Sequence, residues 1–256
     1  MILEGKGLVK AFGGLTAVGG FDITVRSGEV VGLIGPNGAG KSTVVNLLSG
    51  TLPLTKGRVF LDGRDITATP VHTRARMGIT RTFQLNSVWK QMTVRQSLET
   101  AYYCQRTKGL FLRSVLGNGS LADGWSKDAA DLLEMLDITS LRDRKLADLT
   151  YGHQRMASIA AALMTKPGIL LLDEPVAGMN WEESVHLLEA VQRIMTTRQL
   201  GVLLIEHNVQ AVAKFASRVV AMSFGKRLEE GSAEQVMSAP SVIEAYLGRQ
   251  GDHAAG

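Results

Sequence analysis

Residues 35–42 have the spacing of a loop that binds phosphate groups, with glycines at three positions followed by Lys41 and Ser42. Glycines let the backbone turn so that its N–H groups point inward at an anion. Lys41 would reach the β- and γ-phosphates of a nucleoside triphosphate, Ser42 would ligate Mg²⁺, and Thr43 is placed to bond the α-phosphate. The residues predicted to contact the nucleotide are Gly35, Pro36, Asn37, Gly38, Ala39, Gly40, Lys41, Ser42 and Thr43.

A pair of adjacent acids, Asp173 and Glu174, follows the apolar run 169–172. Successive side chains of a strand point to opposite sides, so we expect Asp173 to face the Mg²⁺ and Glu174 to face an attacking water. Phosphoryl transfer needs this division between an acid that holds the metal and one that orients or deprotonates water. An apolar run followed by two acids is also a common strand end, and the phosphate loop upstream favours the catalytic interpretation.

Short β-rich runs and helical patterns alternate along the chain, which predicts an α/β domain. The runs are 8–10, 21–25, 30–34, 58–61, 169–172, 202–205 and 219–222. Four of them are almost entirely apolar, as expected for strands buried on both faces of a parallel sheet. Four patterns of apolar residues at helical spacing begin at residues 44, 129, 156 and 209. Capping-box spacing occurs at Ser232 and at Ser241.

The composition excludes several classes of protein. The chain has 256 residues, 45% of them apolar, and its apolar runs are far shorter than the roughly 20 residues of a membrane span. No secretory signal is visible at the N-terminus, so we expect a cytosolic protein. Its single cysteine, Cys104, excludes an internal disulfide, and we expect its side chain to be buried. The net charge of +4 is scattered and aromatic residues are only 5%, so no nucleic-acid partner is expected.

Further motifs occur in an order that resembles the nucleotide-binding domains of ATP-binding-cassette (ABC) transporters over nearly the whole chain. Phe12 stands where that family has an adenine-stacking aromatic residue, and Gln84 matches the glutamine of the Q-loop. Residues 149–154 resemble the signature loop, residues 177–180 resemble the D-loop, and His207 matches the switch histidine. The resemblance therefore implies an ATPase.

The chain departs from the family pattern at two of these loops. The signature loop has Thr150 in place of serine and Tyr151 in place of the first glycine, although the hydroxyl and the amide of Gly152 are kept. The D-loop has Asn180 in place of aspartate. These variants, together with residues 78–84 and 242–248, resemble the ATPases of branched-chain amino-acid uptake systems.

The resemblance implies a P-loop NTPase (RecA-like) core with an N-terminal antiparallel β-subdomain and an inserted α-helical subdomain. The implied ABC ATPase domain covers residues 1–248, with its core at 1–84 and 164–248 and the helical subdomain at about 85–163. Residues 249–256 would be a flexible tail.

The resemblance also implies the cofactors and the site. ATP and Mg²⁺ would be bound, with Ser42, Gln84 and Asp173 at the metal. The residues implied in catalysis are Lys41, Gln84, Glu174 and His207. Thr150 and Gly152 would contact the ATP of a second cassette, either a paralogue or a copy of this chain.

The other implied partners are transmembrane permease subunits, which would place the chain on the inner face of the cell membrane. Two other functions remain open at this stage. One is an ATPase for the export of lipid or lipopolysaccharide. The other is a non-transport ABC protein acting on ribosomes or DNA, which the absence of a second cassette and of a long coiled coil disfavours.

Overall fold

The computed structural model describes residues 1–82, 87–115 and 122–247. The strands are β1 (Ile2–Phe12), β2 (Leu15–Arg26), β3 (Val30–Ile34), β4 (Lys56–Leu61), β5 (Arg64–Asp65), β6 (Ile79–Arg81), β7 (Ile169–Asp173), β8 (Gly201–Ile205), β9 (Arg218–Ser223) and β10 (Lys226–Gly231). The α-helices are α1 (Lys41–Ser49), α2 (Val71–Arg76), α3 (Ser87–Lys90), α4 (Val94–Val115), α5 (Ala122–Met135), α6 (Tyr151–Met164), α7 (Trp181–Arg198), α8 (Val209–Phe215), α9 (Ala233–Ser238) and α10 (Pro240–Leu247).

A largely parallel sheet in the order β10-β9-β3-β8-β7-β6 forms the centre of the fold. Strands β9, β3, β8, β7 and β6 run parallel, and β10 pairs with β9 in the antiparallel direction. The five residues of β3 are all buried, as are those of β8, which explains their continuous apolar sequence. The carboxyl ends of β3, β8, β7 and β6 consequently lie along one edge of the sheet.

A second sheet, β2-β1-β4-β5, is antiparallel. Its buried side chains, among them Leu3, Phe21 and Val25, share a hydrophobic core with α1 and with one face of the parallel sheet. On the opposite face a second core joins α4, α5, α6 and α7. The two cores fix β3 and the start of α1 between layers, so that the loop connecting them is held from both sides.

The described chain between β6 and β7 consists of α3 to α6, two short 3₁₀ turns and one isolated β-bridge, Thr93 with Lys145. Together with the antiparallel sheet and the parallel core, this architecture confirms the predicted fold class. None of the helices in residues 1–82, 87–115 and 122–247 combines the length and the hydropathy needed to cross a membrane.

Three details differ from the sequence predictions. Strands β5, β6 and β10 were not predicted, since each is short or rich in charged residues. Ser232 is an N-cap with a complete capping box, whereas Ser241 lies inside α10 and Ala239 accepts the first bonds of that helix. Proline at position 240 explains the difference because it suits the first helical position. Cys104 is exposed on α4 and not buried.

Candidate functional site: a phosphate loop beside paired acidic and histidine side chains

The phosphate loop connects β3 to α1 at the carboxyl edge of the parallel sheet. Its last glycine, Gly40, has φ 106° and is the N-cap of α1. A Cβ atom at this position would lie 2.6 Å from the carbonyl oxygen of Ala17 in β2, so glycine is needed for both the dihedral angle and the close approach. Gly225, in the β9–β10 turn, donates its N–H to the carbonyl of Ala39 at 2.9 Å. These contacts hold the loop against both sheets.

Lys41 is 5% exposed and lies within this loop. Its Nζ donates to the carbonyl oxygens of Gly35 at 2.7 Å and Pro36 at 3.1 Å. The ammonium group thus stays within the loop that precedes α1, where the helix dipole also favours an anion. The loop and its lysine form one concentrated positive site.

Ser42 and Asp173 meet beside the loop. The Oγ atom of Ser42 donates to Oδ1 of Asp173 at 3.3 Å, although the two residues are 131 positions apart in the sequence. A hydroxyl and a carboxylate oxygen are the hard ligands that Mg²⁺ prefers, and Mg²⁺ bound to nucleotides takes one or two carboxylates together with phosphate oxygens. The donor set therefore fits Mg²⁺.

Glu174 and His207 form the next pair along the edge. The Nε2 atom of His207 lies 2.5 Å from Oε1 of Glu174. A carboxylate only accepts, so the ring nitrogen is the donor. Glu174 has φ 50° and follows the last residue of β7, so its side-chain direction is set by a left-handed turn and the alternation expected from the sequence does not extend to it. Non-glycine residues in this conformation are strained and concentrate at functional sites.

Glu206 lies behind this pair and was not singled out from the sequence. Its side chain is 3% exposed and accepts the N–H of Val176 at 2.9 Å. Burial raises the pKa of the Glu206 carboxyl, while the N–H groups of Val176 and His207 lower it in part and the charge of Glu174 raises it further. The carboxyl group joins the backbone of His207 to the segment after Glu174.

Glu206→Gln is expected to make the protein less sensitive to rising pH. Between the unfolded pKa and the raised native pKa, the native chain binds more protons, so the free energy of unfolding falls as the pH increases. Glutamine keeps an acceptor for Val176 and does not titrate. The stability of the Glu206→Gln variant relative to the wild type should therefore improve from about pH 4.3 upward and level off above the native pKa of Glu206.

Denaturant unfolding at a series of pH values checks this prediction. Glu206→Leu provides the comparison, since it does not titrate either but leaves the Val176 N–H unpaired, so it should be about 1–3 kcal/mol less stable than Glu206→Gln at every pH. A stability difference between the wild type and Glu206→Gln that does not change with pH would contradict the argument.

The residues predicted to form the signature loop and the D-loop lie against one another. Thr150 is the N-cap of α6, and its hydroxyl accepts the N–H of His153 at 3.3 Å. A Cβ atom at Gly178 would lie 3.4 Å from the ring of Tyr151, and one at Gly152 would lie 3.3 Å from Met179. Tyr151, in place of the usual glycine, thus fills the space beside the D-loop.

Asn180 has a structural function in this chain. It is the N-cap of α7, with its side chain accepting from Glu183 and the side chain of Glu183 accepting in return from the Asn180 N–H. Asparagine and aspartate are equally good N-caps, which explains why the charge of the usual aspartate can be lost at this position.

The remaining predicted residues lie further from this cluster or outside the description. Phe12 is half-exposed and pairs with Leu15 at the tip of the β1–β2 hairpin. Leu15 lies two residues along β2 from Ala17, the backbone contact of Gly40, which is roughly 7 Å at a rise of about 3.3 Å per residue. Gln84 falls outside the described residues. Arg81, on β6, was missed as a site residue, although a cation in a short strand leading to Gln84 was a usable signal.

The loop between β3 and α1, with acidic residues on the next strands at the carboxyl edge, defines a P-loop nucleotide-binding protein. The chain belongs to the ABC transporter family, whose pattern matches residues 18–177, and it is an ATPase of that family.

Known relatives resemble the chain over almost its full length. It is 39% identical to the high-affinity branched-chain amino acid transport ATP-binding protein BraF of Pseudomonas aeruginosa, covering 96% of this chain and 98% of that protein. The protein of the same description named LivG in Escherichia coli K12 is 38% identical with the same coverage. A solved nucleotide-free ATP-binding cassette from an ABC transporter has a TM-score of 0.84 and 31% identity, covering 96% of this chain and 98% of that one. The ADP conformation of the cassette MJ1267 has a TM-score of 0.83 and 32% identity, with the same coverage.

Proposed function

We propose that this chain is the ATP-hydrolysing subunit of an importer for branched-chain amino acids or a related small solute. The observation that carries the proposal is the convergence of Lys41, the Ser42–Asp173 pair and the Glu174–His207 pair at one edge of the sheet. The solute class is supported by the names of relatives 37–39% identical over 96% of the chain.

In this proposal the phosphate loop binds the tail of ATP through its backbone amides and Lys41, and Thr43 bonds the α-phosphate. Phe12 stacks against the adenine, for which its half-exposed ring leaves a face available. Ser42, Asp173 and Gln84 hold the metal. A bound Mg²⁺ would supply positive charge that stabilises the phosphate oxygens during hydrolysis.

Glu174 orients and deprotonates the attacking water, and His207 keeps the carboxylate in place while its imidazole contacts the γ-phosphate. The contact of 2.5 Å between the two side chains supports this division. The restrained left-handed backbone at Glu174 helps because the carboxylate direction is fixed before the nucleotide binds. Gln84 links the metal to the membrane partner.

The chain acts as one half of a head-to-tail dimer with a second cassette, which is a paralogue or a copy of this chain. Thr150 and Gly152 lie at the start of α6, a helix of 14 residues whose N-terminus favours an anion. Their amides and hydroxyl contact the ATP of the partner. ATP bound between the subunits favours the closed dimer, and hydrolysis reopens it.

The dimer docks on transmembrane permease subunits at the inner face of the cell membrane. ATP hydrolysis alone does not distinguish this importer from an exporter of lipid or lipopolysaccharide, because both use the same ATPase chemistry. One experiment therefore tests the direction and the cargo of transport together. The chain is co-purified with its native membrane subunits and reconstituted in liposomes. It should then hydrolyse ATP several-fold faster when a branched-chain amino acid and its receptor protein are supplied. Stimulation by lipid alone would contradict the importer and favour the exporter.

A further inference from the structure

The guanidinium group of Arg81 joins two parts of the site that the proposed mechanism does not connect. Its Nη2 atom lies 2.7 Å from Oδ2 of Asp173, and its Nη1 atom donates to the side-chain oxygen of Asn46 on α1. The two nitrogens belong to one planar fork, so both contacts constrain the same rigid group. Arg81 therefore ties β6 to β7 and to the helix that follows the phosphate loop.

The two oxygens of Asp173 have different partners. Oδ2 accepts from Arg81, and Oδ1 accepts from the hydroxyl of Ser42 at 3.3 Å. A carboxylate whose one oxygen is fixed by a charged fork cannot rotate freely, because rotation would break a charge-assisted hydrogen bond. The oxygen left facing Ser42 is the one placed to ligate a metal together with that hydroxyl.

The Arg81–Asp173 ion pair is shielded enough from solvent for its loss to affect metal affinity measurably. The side chain of Arg81 is 21% exposed and that of Asp173 is 14% exposed, so solvent screens the contact only in part. Metal-ligating carboxylates commonly depend on hydrogen bonds from a second layer of residues, and loss of such a partner costs about 10–100-fold in metal affinity or activity.

We propose that Arg81 is a positioning residue for the metal ligand Asp173, holding one carboxylate oxygen so that the other is presented beside Ser42. The inference rests on the proposed binding of Mg²⁺ by Ser42 and Asp173. Arg81 does not repel the incoming metal, since the ligand that arrives is the metal–nucleotide complex, whose net charge is negative.

The test measures metal binding and not turnover. Affinity for a non-hydrolysable ATP analogue is determined by calorimetry with Mg²⁺ and with a chelator, and bound Mn²⁺ is counted by electron paramagnetic resonance. Arg81→Met should lower the Mg²⁺-dependent gain in affinity by about 10–100-fold, with metal-free affinity unchanged. Arg81→Lys should recover part of the gain, because an ammonium reaches one partner but lacks the fork.

Arg218→Met is the matched control. Arg218 is also 21% exposed, lies on a strand of the same sheet and pairs with Glu29 and Glu230 away from the phosphate loop. Its replacement should leave the metal dependence unchanged. Asn46→Ala removes only the second anchor of Arg81 and should lower the metal dependence less, and it decides the matter if Arg81→Met does not fold.

The outcomes separate this inference from the proposed function. If Asp173→Asn abolishes the Mg²⁺-dependent gain and folded Arg81→Met retains it or binds Mg²⁺ more tightly, the positioning role is wrong and the metal site stands. If Asp173→Asn has no effect, the metal site itself is wrong. A loss in Arg81→Met that Arg218→Met does not share supports the proposal.

Discussion

Glu174→Gln is expected to lower ATP turnover by about 10²–10⁴-fold while ATP binding is retained. Glutamine has nearly the same shape as glutamate but cannot accept a proton from the attacking water. Binding depends on the phosphate loop and Lys41, whose contacts with Gly35 and Pro36 do not involve Glu174. The loss should therefore fall on the chemical step.

The local structure should survive this substitution. The amide oxygen of glutamine can still accept from Nε2 of His207, and the bond from the Glu174 N–H to the carbonyl of Ile205 at 2.9 Å is a backbone contact. The left-handed conformation at position 174 does not depend on the charge of the side chain. An unchanged thermal midpoint would show that the fold is intact.

Single-turnover hydrolysis and nucleotide binding measured on the same preparation check this prediction. Glu189→Gln is the control, because Glu189 is a partly exposed glutamate on α7 that pairs with Lys214 at 3.2 Å. It should hydrolyse ATP at the wild-type rate. Turnover in Glu174→Gln equal to that of Glu189→Gln would show that another group activates the water.

The buried centre of the fold was readable from the sequence. Strand β3 was predicted at its observed bounds, and β7 and β8 were each one residue longer than predicted. These strands are almost fully buried, so their sequence is a continuous apolar run that no surface requirement interrupts. The phosphate loop was equally clear, because its glycines and Lys41 are required at fixed spacing.

Strands with charged residues or an interrupted apolar pattern were less readable, both at the edge of the parallel sheet and inside the antiparallel sheet. Strand β10 has the sequence Lys-Arg-Leu-Glu-Glu-Gly, and charged side chains are what protects an exposed edge from pairing with other chains. Strand β1 covers Ile2–Phe12, of which only residues 8–10 were predicted, because Gly5 and Gly7 interrupt its apolar pattern. Propensity is a weak guide where tertiary pairing decides the conformation.

Some side-chain contacts between distant segments could not be predicted from the sequence. Arg81 and Asp173 are 92 positions apart, and only the pairing of β6 with β7 brings them together. The direction of Glu174 depends on the turn after β7, which the alternation of an ideal strand does not describe. The sequence therefore predicted which residue types form the site, and the fold determines how they are oriented.

Arg74 also contacts segments that are distant in the sequence, and replacing it should strongly destabilise the protein. Its side chain is 2% exposed and donates to four carbonyl oxygens: those of Leu47, Leu48, Thr67 and Thr69, at 2.8–3.0 Å. The first two belong to the last turn of α1, where a cation is also favoured by the helix dipole. Burial lowers the pKa of Arg74, and Asp65 opposes this change.

Gly50, the C-cap of α1, is matched to this side chain. It has φ 79°, and a Cβ atom here would lie 2.8 Å from Nε of Arg74. Glycine is therefore needed both for the left-handed conformation and to let the guanidinium reach the carbonyl groups. Arg74 thus joins α2 to the far end of the helix that begins at the phosphate loop.

Arg74→Met should lower the free energy of unfolding by about 3–5 kcal/mol. Each buried carbonyl left without a donor costs about 1–3 kcal/mol, and removal of the desolvated charge offsets part of the sum. At this chain length the thermal midpoint should fall by roughly 6–20 °C. Arg76→Met, on the same helix but exposed, should shift the midpoint by little. Calorimetric melting of both variants checks the prediction, and equal shifts would contradict it, because only Arg74 has buried carbonyl oxygens to satisfy.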